Sequence, residues 1–175
     1  MTPIPLLAEM SDATIGIGIG AAEMLGHEYK VRKNARAILL DDHGQIAIQH
    51  LVNHHFHKLP GGGVDDGETV EMAVLREIKE EVGCAATIIR PLGLIIEYRD
   101  KYKLLHLSYG FVCQVAGPIA ETTFEASELA AGQTNIWITP TAALEHFKTD
   151  NPTTYEGKFI LPREATFLEE YLRTK

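Results

Sequence analysis

Between Gly62 and Cys84 the chain reads GGVDDGETVEMAVLREIKEEVGC. Glu77, Glu80 and Glu81 gather three carboxylates within five residues, just after a run of glycines. Like charges this close repel, and a fold seldom collects them unless a cation sits among them. On a helical wheel of about 100° per residue, Glu81 lies about 40° from Glu77 and Glu80 about 60° away on the other side. The three carboxylates therefore share one face. Such a face suits Mg²⁺, which prefers oxygen donors, keeps several waters and bridges to substrate phosphates. The chemistry indicated is metal-assisted attack of water on a phosphorus, with a carboxylate beside the metal taking the water's proton. An acidic helix face alone is more often solvated and idle, so the flanking residues decide the matter.

Those flanks are specific. Thr69 to Val82 reads as a helix in which Val74, Ile78 and Val82 recur at four-residue spacing and form a buried stripe beside the acidic face. Gly83 stops it. Arg76 lies four residues before Glu80 and can pair with it, or reach back to Glu68. Gly61, Gly62 and Gly63 allow a sharp turn that presents carbonyl oxygens to the acidic face. Upstream, Ala37–Leu40 and Ile46–Gln49 read as strands around the turn Asp41-Asp42-His43-Gly44. Downstream, 86–89, 92–98, 104–115 and 136–138 read as strands, and 141–147 and 164–172 as helices. Mixed strands with interspersed helices predict an α/β fold, a sheet sandwiched by helices. Residues 1–30 read as an N-terminal extension, an edge strand or a dimer arm. Its run Thr14-Ile15-Gly16-Ile17-Gly18-Ile19-Gly20 imitates a dinucleotide fingerprint, but Ala8–Asp12 before it does not read as a strand.

Composition narrows the function. A length of 175 residues suits one domain with a sizeable core. The formal net charge of −8 repels polyanions such as DNA, which argues against a nucleic-acid partner but not against a small phosphate arriving with its metal. The two cysteines, Cys84 and Cys113, sit in apolar surroundings outside any CxxC pair, so a reducing, cytoplasmic compartment is expected. No apolar run reaches membrane-spanning length. No basic residue precedes Lys30, so the charged start of a secretory leader is not expected.

Gly62, Glu68, Arg76, Glu77, Ile78, Glu80, Glu81 and Gly83 stand at the offsets of the pattern G-x5-E-x7-R-E-U-x-E-E-x-G-U, where U is a bulky aliphatic residue. The stretch resembles the Nudix box, departing from it only at Cys84, which takes the final aliphatic position. Leu59-Pro60-Gly61 before the box is also similar to the family, and a weaker resemblance runs from about Arg36 to Leu172. It implies the Nudix α/β/α sandwich with a mixed sheet over residues 31–175. It implies hydrolysis of a nucleoside diphosphate linked to another group: a nucleotide-sugar, ADP-ribose, a dinucleoside polyphosphate or a modified nucleoside triphosphate. The cofactor implied is Mg²⁺, with Mn²⁺ as a candidate substitute. Glu77 and Glu81 would be metal ligands, with the Gly61 carbonyl. Glu80 would be a ligand or the water-activating base, and Glu68 and Arg76 would orient the rest. Some relatives recruit a base from a later loop; Glu128 and Glu125 are the candidates, Glu128 fitting the spacing better. Two rivals share the fold: a non-hydrolytic nucleotide-binding module and an isoprenoid-diphosphate isomerase. A homodimer is an expectation by family analogy alone.

Other residues point less sharply. Arg36, Lys58 and Arg99 could meet a phosphate or a base, as could Tyr98. His54, His55 and His57 form an H-H-x-H group without a cysteine to complete a zinc set, so a solvated loop beside the cleft is expected. Trp137, between two isoleucines, reads as core before it reads as a stacking platform.

Overall fold

The computed structural model describes residues 4–17 and 28–175. Its strands are β1 (Leu6–Ser11), β2 (Lys30–Leu40), β3 (Ile46–Leu51), β4 (Phe56–Lys58), β5 (Ala86–Arg99), β6 (Leu104–Val115) and β7 (Gln133–Ile138). Its helices are α1 (Val70–Glu81), α2 (Ala126–Ala130), α3 (Pro140–Thr149) and α4 (Tyr155–Thr174). One seven-stranded mixed sheet runs β1-β5-β6-β2-β3-β4, and β7 pairs with β3. The β1/β5 and β2/β6 pairs are parallel and the others antiparallel.

Period-two alternation along the strands sends side chains to opposite faces. In β2, Ala35, Ala37 and Leu39 join Val74, Ile78 and Val82 of the α1 segment in one core. Ile38, on the other face, joins Ile46, Phe159 and Phe167 in a second core covered by α3 and α4. The expected α/β sandwich is therefore present. α1 forms one outer layer, and α3 with α4 forms the other.

Two expectations need correction. Ala8–Asp12 does not read as a strand, yet Leu6–Ser11 pairs with β5 from Leu6 opposite Leu94 to Ser11 opposite Tyr98. Tertiary docking makes this strand: Leu94 N–H donates to the Pro5 carbonyl at 2.8 Å, and Met10 is buried in the second core. Of the glycine run that follows, residues 18 to 20 lie outside the described residues. The last helix also begins earlier than its sequence signal, at Tyr155, with Pro162 inside it. Proline in a helix interior removes a donor and normally ends the helix. Here buried Phe159, Leu161, Phe167 and Leu168 anchor the helix on both sides of the proline.

Between the sheet and α4 lies a buried ionic chain. Glu97 takes Arg99 Nη2 at 2.8 Å, His106 Nδ1 at 2.7 Å and Arg163 Nη1 at 3.4 Å; Arg163 also donates to Glu164 at 2.5 Å. Asn34 Nδ2 lies 2.5 Å from His106 Nε2, so the ring donates through Nδ1 and accepts through Nε2, as a neutral imidazole. Burial, against the pull of Glu97, holds His106 down at about 4. Burial works to raise Glu97, but Arg163, His106 and Arg99 bring it down to about 2.

Both groups bind protons more weakly in the fold than in the unfolded chain, so acidification favours unfolding. The His106 contribution is lost from pH 6.5 towards about 4, and the Glu97 contribution from pH 4.5 towards about 2. Thermal melts from pH 7 to pH 4 should show a falling Tm, equivalent to roughly 3 kcal/mol from His106. His106→Gln should flatten that limb, and a wild-type Tm constant over this range would contradict the neutral, buried assignment.

Candidate active site

Thr69 starts α1 by accepting a hydrogen bond from Met72 N–H at 3.2 Å, and Gly83, in the left-handed region at φ 78°, lies just past its end. Buried Ala73, Val74 and Ile78 fix the rotation of the helix against the sheet. The same rotation presents Glu77 to Gly62 and Glu81 to Gly61, and leaves Glu80 on Arg76. That segment is tied to β2: Ala37 N–H donates to the Pro60 carbonyl at 2.9 Å, and Ala35 N–H to the Gly62 carbonyl at 3.0 Å.

Glu81 is the most enclosed of the three, 1 % exposed. Its Oε2 accepts from Gly61 N–H at 2.6 Å, and its Oε1 accepts from Lys58 Nζ at 3.1 Å and Gln133 Nε2 at 3.2 Å. Burial pushes its carboxyl up, but Lys58 leads the groups that hold it below its ordinary value. Glu77 lies directly over Gly62, where a Cβ would stand 2.3 Å from Glu77 Oε1. Burial and then the Glu81 charge push the Glu77 carboxyl up. Glu80 stands at the rim, its side chain 44 % exposed.

Arg76 joins both ends of the motif at once. Its Nε and Nη2 grip Glu68 at 3.0 and 3.1 Å, Nη2 also donates to the Gly63 carbonyl at 2.8 Å, and Nη1 reaches Glu77 at 2.9 Å and Glu80 at 3.0 Å. The sequence offered Glu68 and Glu80 as alternative partners for Arg76, and the guanidinium takes both.

Of the three box carboxylates, Glu77 lines a cleft of about 380 Å³, together with Arg76 and the Gly61–Gly63 segment. Glu125 and Glu128 enter it from α2, an element too short to show in the sequence. Glu128 accepts from Glu125 N–H at 2.7 Å, and burial, followed by a shared hydrogen bond with Glu81, pushes its carboxyl up to about 7. Arg32, Arg36 and Lys58 line the same cleft. Arg36 is 7 % exposed, and its Nε and Nη1 have no hydrogen-bond partner among the described residues. The nearest carboxylate is Glu164, 4.0 Å from Nε. Burial lowers Arg36 to about 10. Arg32 was missed in the sequence, although alternation along β2 places it on the same strand face as Arg36.

Donor chemistry and environment together suit a divalent cation. Carboxylate oxygens converge beside a backbone segment, and a bare helix of this charge leaves Glu77 partly uncompensated.

The other candidates are dispersed. Arg99 is not a lining residue of the cleft; it is buried in the ionic chain with Glu97, and its guanidinium carbon lies 5.3 Å from the Phe159 ring centre. His54 lines the cleft, whereas His55 is exposed at φ 60° just before β4. His57 is buried and bonded to Asp150, so the three histidines form no common group. Trp137 packs on the α1-side core opposite Ala47, as core was expected to.

Gly61 sits at φ 132°, and a Cβ there would lie 2.1 Å from the Ala35 carbonyl oxygen, which is backbone and cannot step aside. Gly61→Ala should therefore cost on the order of 3 kcal/mol in urea unfolding. Gly67→Ala, at φ 81° but with open space around it, should cost about 1 kcal/mol. Equal costs would contradict the described path of this loop.

Comparison with known proteins gives a family match. A family model for the NUDIX domain matches residues 30–157. A Caenorhabditis elegans protein described as putative nudix hydrolase 1 is 36% identical over 78 residues, covering 45% of this chain and 20% of that protein. An RNA pyrophosphohydrolase from Aliivibrio fischeri (strain MJ11) is 39% identical over 62 residues, covering 35% of this chain and 36% of that one. The match thus spans about a fifth of the length of the first relative and little more than a third of the second. Among solved structures, a NUDIX hydrolase from Nitrosomonas europaea aligns with a TM-score of 0.62 at 16% identity, over 83% of this chain and 91% of that one. That likeness is one of fold.

Proposed function

This chain belongs to the Nudix family, and we propose that it is a metal-dependent pyrophosphohydrolase acting on a diphosphate linkage in a small nucleoside diphosphate derivative. One observation carries the reading. Four carboxylates, Asp65, Glu77, Glu125 and Glu128, and a set of cations, Arg32, Arg36 and Lys58, border the same cleft. A diphosphate complements both, being anionic itself and a bridge to divalent cations.

In this reading Glu77, Glu80, Glu81 and the Gly61 carbonyl hold Mg²⁺ or Mn²⁺, which when bound supplies charge neutralisation at the phosphates and a water of lowered pKa. Arg36 and Lys58 both line the cleft and can set their charges against phosphate oxygens, Lys58 from beside Glu81. Arg76 fixes Glu68, Glu77 and Glu80 relative to the glycine segment. Two carboxylates can take the proton from the attacking water, Glu80 at the rim and Glu128 on α2. Proton removal from water and transfer of the phosphorus to its oxygen then release a nucleoside monophosphate and a phosphorylated fragment, or pyrophosphate.

The rival readings have less support. An isomerase would need proton-transfer groups such as a cysteine in the cleft, but Cys84 and Cys113 are buried in the α1-side core. Burial pushes the Cys113 thiol up to about 12. A binding module without catalysis has no need of a full set of box carboxylates. The two free, buried cysteines accord with a reducing, cytoplasmic setting. No helix among the described residues is long and apolar enough to cross a membrane. The net charge of −8 favours a small nucleotide derivative over a long polyanion.

Glu81→Gln should lower kcat by about a thousandfold with Mg²⁺ while the chain still folds. Retention of full activity would remove the metal assignment. Arg36→Met, which keeps bulk and loses charge, should lower kcat/KM by about ten- to a hundredfold. A general base acts only when ionised, so loss of the acidic limb of the pH–rate profile in Glu80→Gln or in Glu128→Gln identifies the base. A hydrolysis panel should include ADP-ribose, a nucleotide-sugar, a dinucleoside polyphosphate, a modified nucleoside triphosphate and a 5′-triphosphorylated RNA. We expect a small nucleotide to be preferred; preference for the RNA would overturn the substrate class.

A further inference from the structure

We propose that His57, His146 and Asp150 form a second metal site, outside the cleft, that takes a borderline transition-metal cation such as Zn²⁺. Each of the three offers one ligand atom, and these atoms all lie within 4.8 Å of one another. They come from two elements that the fold packs together. His57 lies in β4, His146 on the last turns of α3, and Asp150 is the C-cap of α3.

The group is already assembled. Asp150 Oδ2 accepts from His57 N–H at 2.6 Å and from His57 Nδ1 at 2.8 Å. The His57 and His146 ring centres are 4.1 Å apart. Asp150 Oδ1 lies 3.7 Å from His146 Nδ1, one helical turn back. A third imidazole is adjacent: His50 pairs with His57 across the β3/β4 ladder and stacks on it with ring centres 4.3 Å apart. Two imidazoles and a carboxylate thus share one spot, enough for three protein ligands with a water in the fourth position.

Donor type separates this site from the box. Imidazole nitrogen selects zinc, copper, nickel or cobalt, whereas the all-oxygen box suits magnesium or manganese. Metal–nitrogen bonds of about 2.0–2.1 Å place tetrahedral donors roughly 3.4 Å apart, so the His57–Asp150 pair must open by about 0.6 Å while a separation as wide as 4.8 Å would close by about 1.4 Å. His146, with its side chain 42 % exposed, has the freedom to make that movement. His57 is the fixed member, 7 % exposed and held by two bonds to Asp150. A cation there displaces the proton shared between His57 and Asp150 to solvent and uses the lone pair it leaves.

The placement has a consequence for the cleft. His57 and Lys58 are neighbours on β4, so their side chains leave opposite faces of the strand. Lys58 carries the bond to Glu81 at 3.1 Å. A cation bracing His57 to the end of α3 braces the strand from which Lys58 reaches the acidic helix.

Metal-stripped wild-type protein should be titrated with Zn²⁺ by calorimetry, and with Co²⁺ by its visible d–d absorption. We expect one Zn²⁺ per chain with low-micromolar or tighter affinity, a Co²⁺ spectrum of tetrahedral intensity, and a Tm that rises with Zn²⁺. His146→Ala, at a half-exposed position, and Asp150→Asn should each weaken Zn²⁺ at least about tenfold and abolish the Tm rise. With the box kept filled by excess Mg²⁺, His43→Ala, an exposed histidine outside the group, should leave all three readouts unchanged. The absence of Zn²⁺ binding in the wild type would overturn the site. So would unaltered binding in His146→Ala, or loss of binding in His43→Ala. None of these readouts depends on hydrolytic activity.

Discussion

Mutual repulsion among carboxylates at the C-terminal half of α1 is the constraint around which this molecule is arranged. Glu77 and Glu81 are both largely removed from water, and each makes ionisation of the other harder. Left alone, such a pair would protonate or swing apart. The fold holds it by supplying counter-charge from every side. Arg76 comes from the helix itself, Lys58 from β4, the Gly61 amide from the loop, and Arg36 from β2 beneath. The apolar stripe of α1 cannot relieve the strain by rotation, because Ala73, Val74 and Ile78 are locked into the core on the sheet. Burial on one side of the helix thus maintains charge crowding on the next.

The glycine segment is the counterpart of that crowding. Only a residue without a side chain can sit at 62 beneath the Glu77 carboxylate, and only one tolerating φ 132° can sit at 61 against the Ala35 carbonyl. The bonds from Ala35 and Ala37 then make the loop an extension of β2. Behind this assembly, the ionic chain from Glu97 through Arg163 to Glu164 ends at Arg36, which lines the cleft while its Nε and Nη1 are buried without a hydrogen-bond partner among the described residues. Glu164, 4.0 Å from Nε, favours the charged form of this arginine against its burial.

What the sequence disclosed follows the range of the interactions. The acidic helix was legible because its cap, its stripe and its carboxylates all lie within fifteen residues, where helical periodicity relates them. The Arg76–Glu68 grip was legible for the same reason. The sandwich was legible from alternating strands and interspersed helices. What escaped depends on partners distant in the chain. Arg99 read as a free cation, but it meets Glu97 beside Arg163, which is contributed from α4. The H-H-x-H run read as one group, but a left-handed residue at His55 breaks the alternation, and His57 finds His146 and Asp150 instead. The i, i+4 spacing of His146 and Asp150 was the only local sign of that group. β1 and the first half of α4 exist because the core holds them. Local propensity argued against both, through the weak alternation of Leu6–Ser11 and through Pro162.

In the proposed reading, the crowded carboxylates serve a cation and cost stability without one. Glu77 is its sharpest point, since burial and Glu81 both disfavour its charge. The direct measurement is the Tm of wild type and Glu77→Gln, each in EDTA and in saturating Mn²⁺, in a His146→Ala background so that only the box is read. Glu77→Gln should melt at or above its parent in EDTA and gain much less from Mn²⁺ than the parent does. A variant that melts well below its parent in EDTA, yet gains as much as the parent from Mn²⁺, would contradict it.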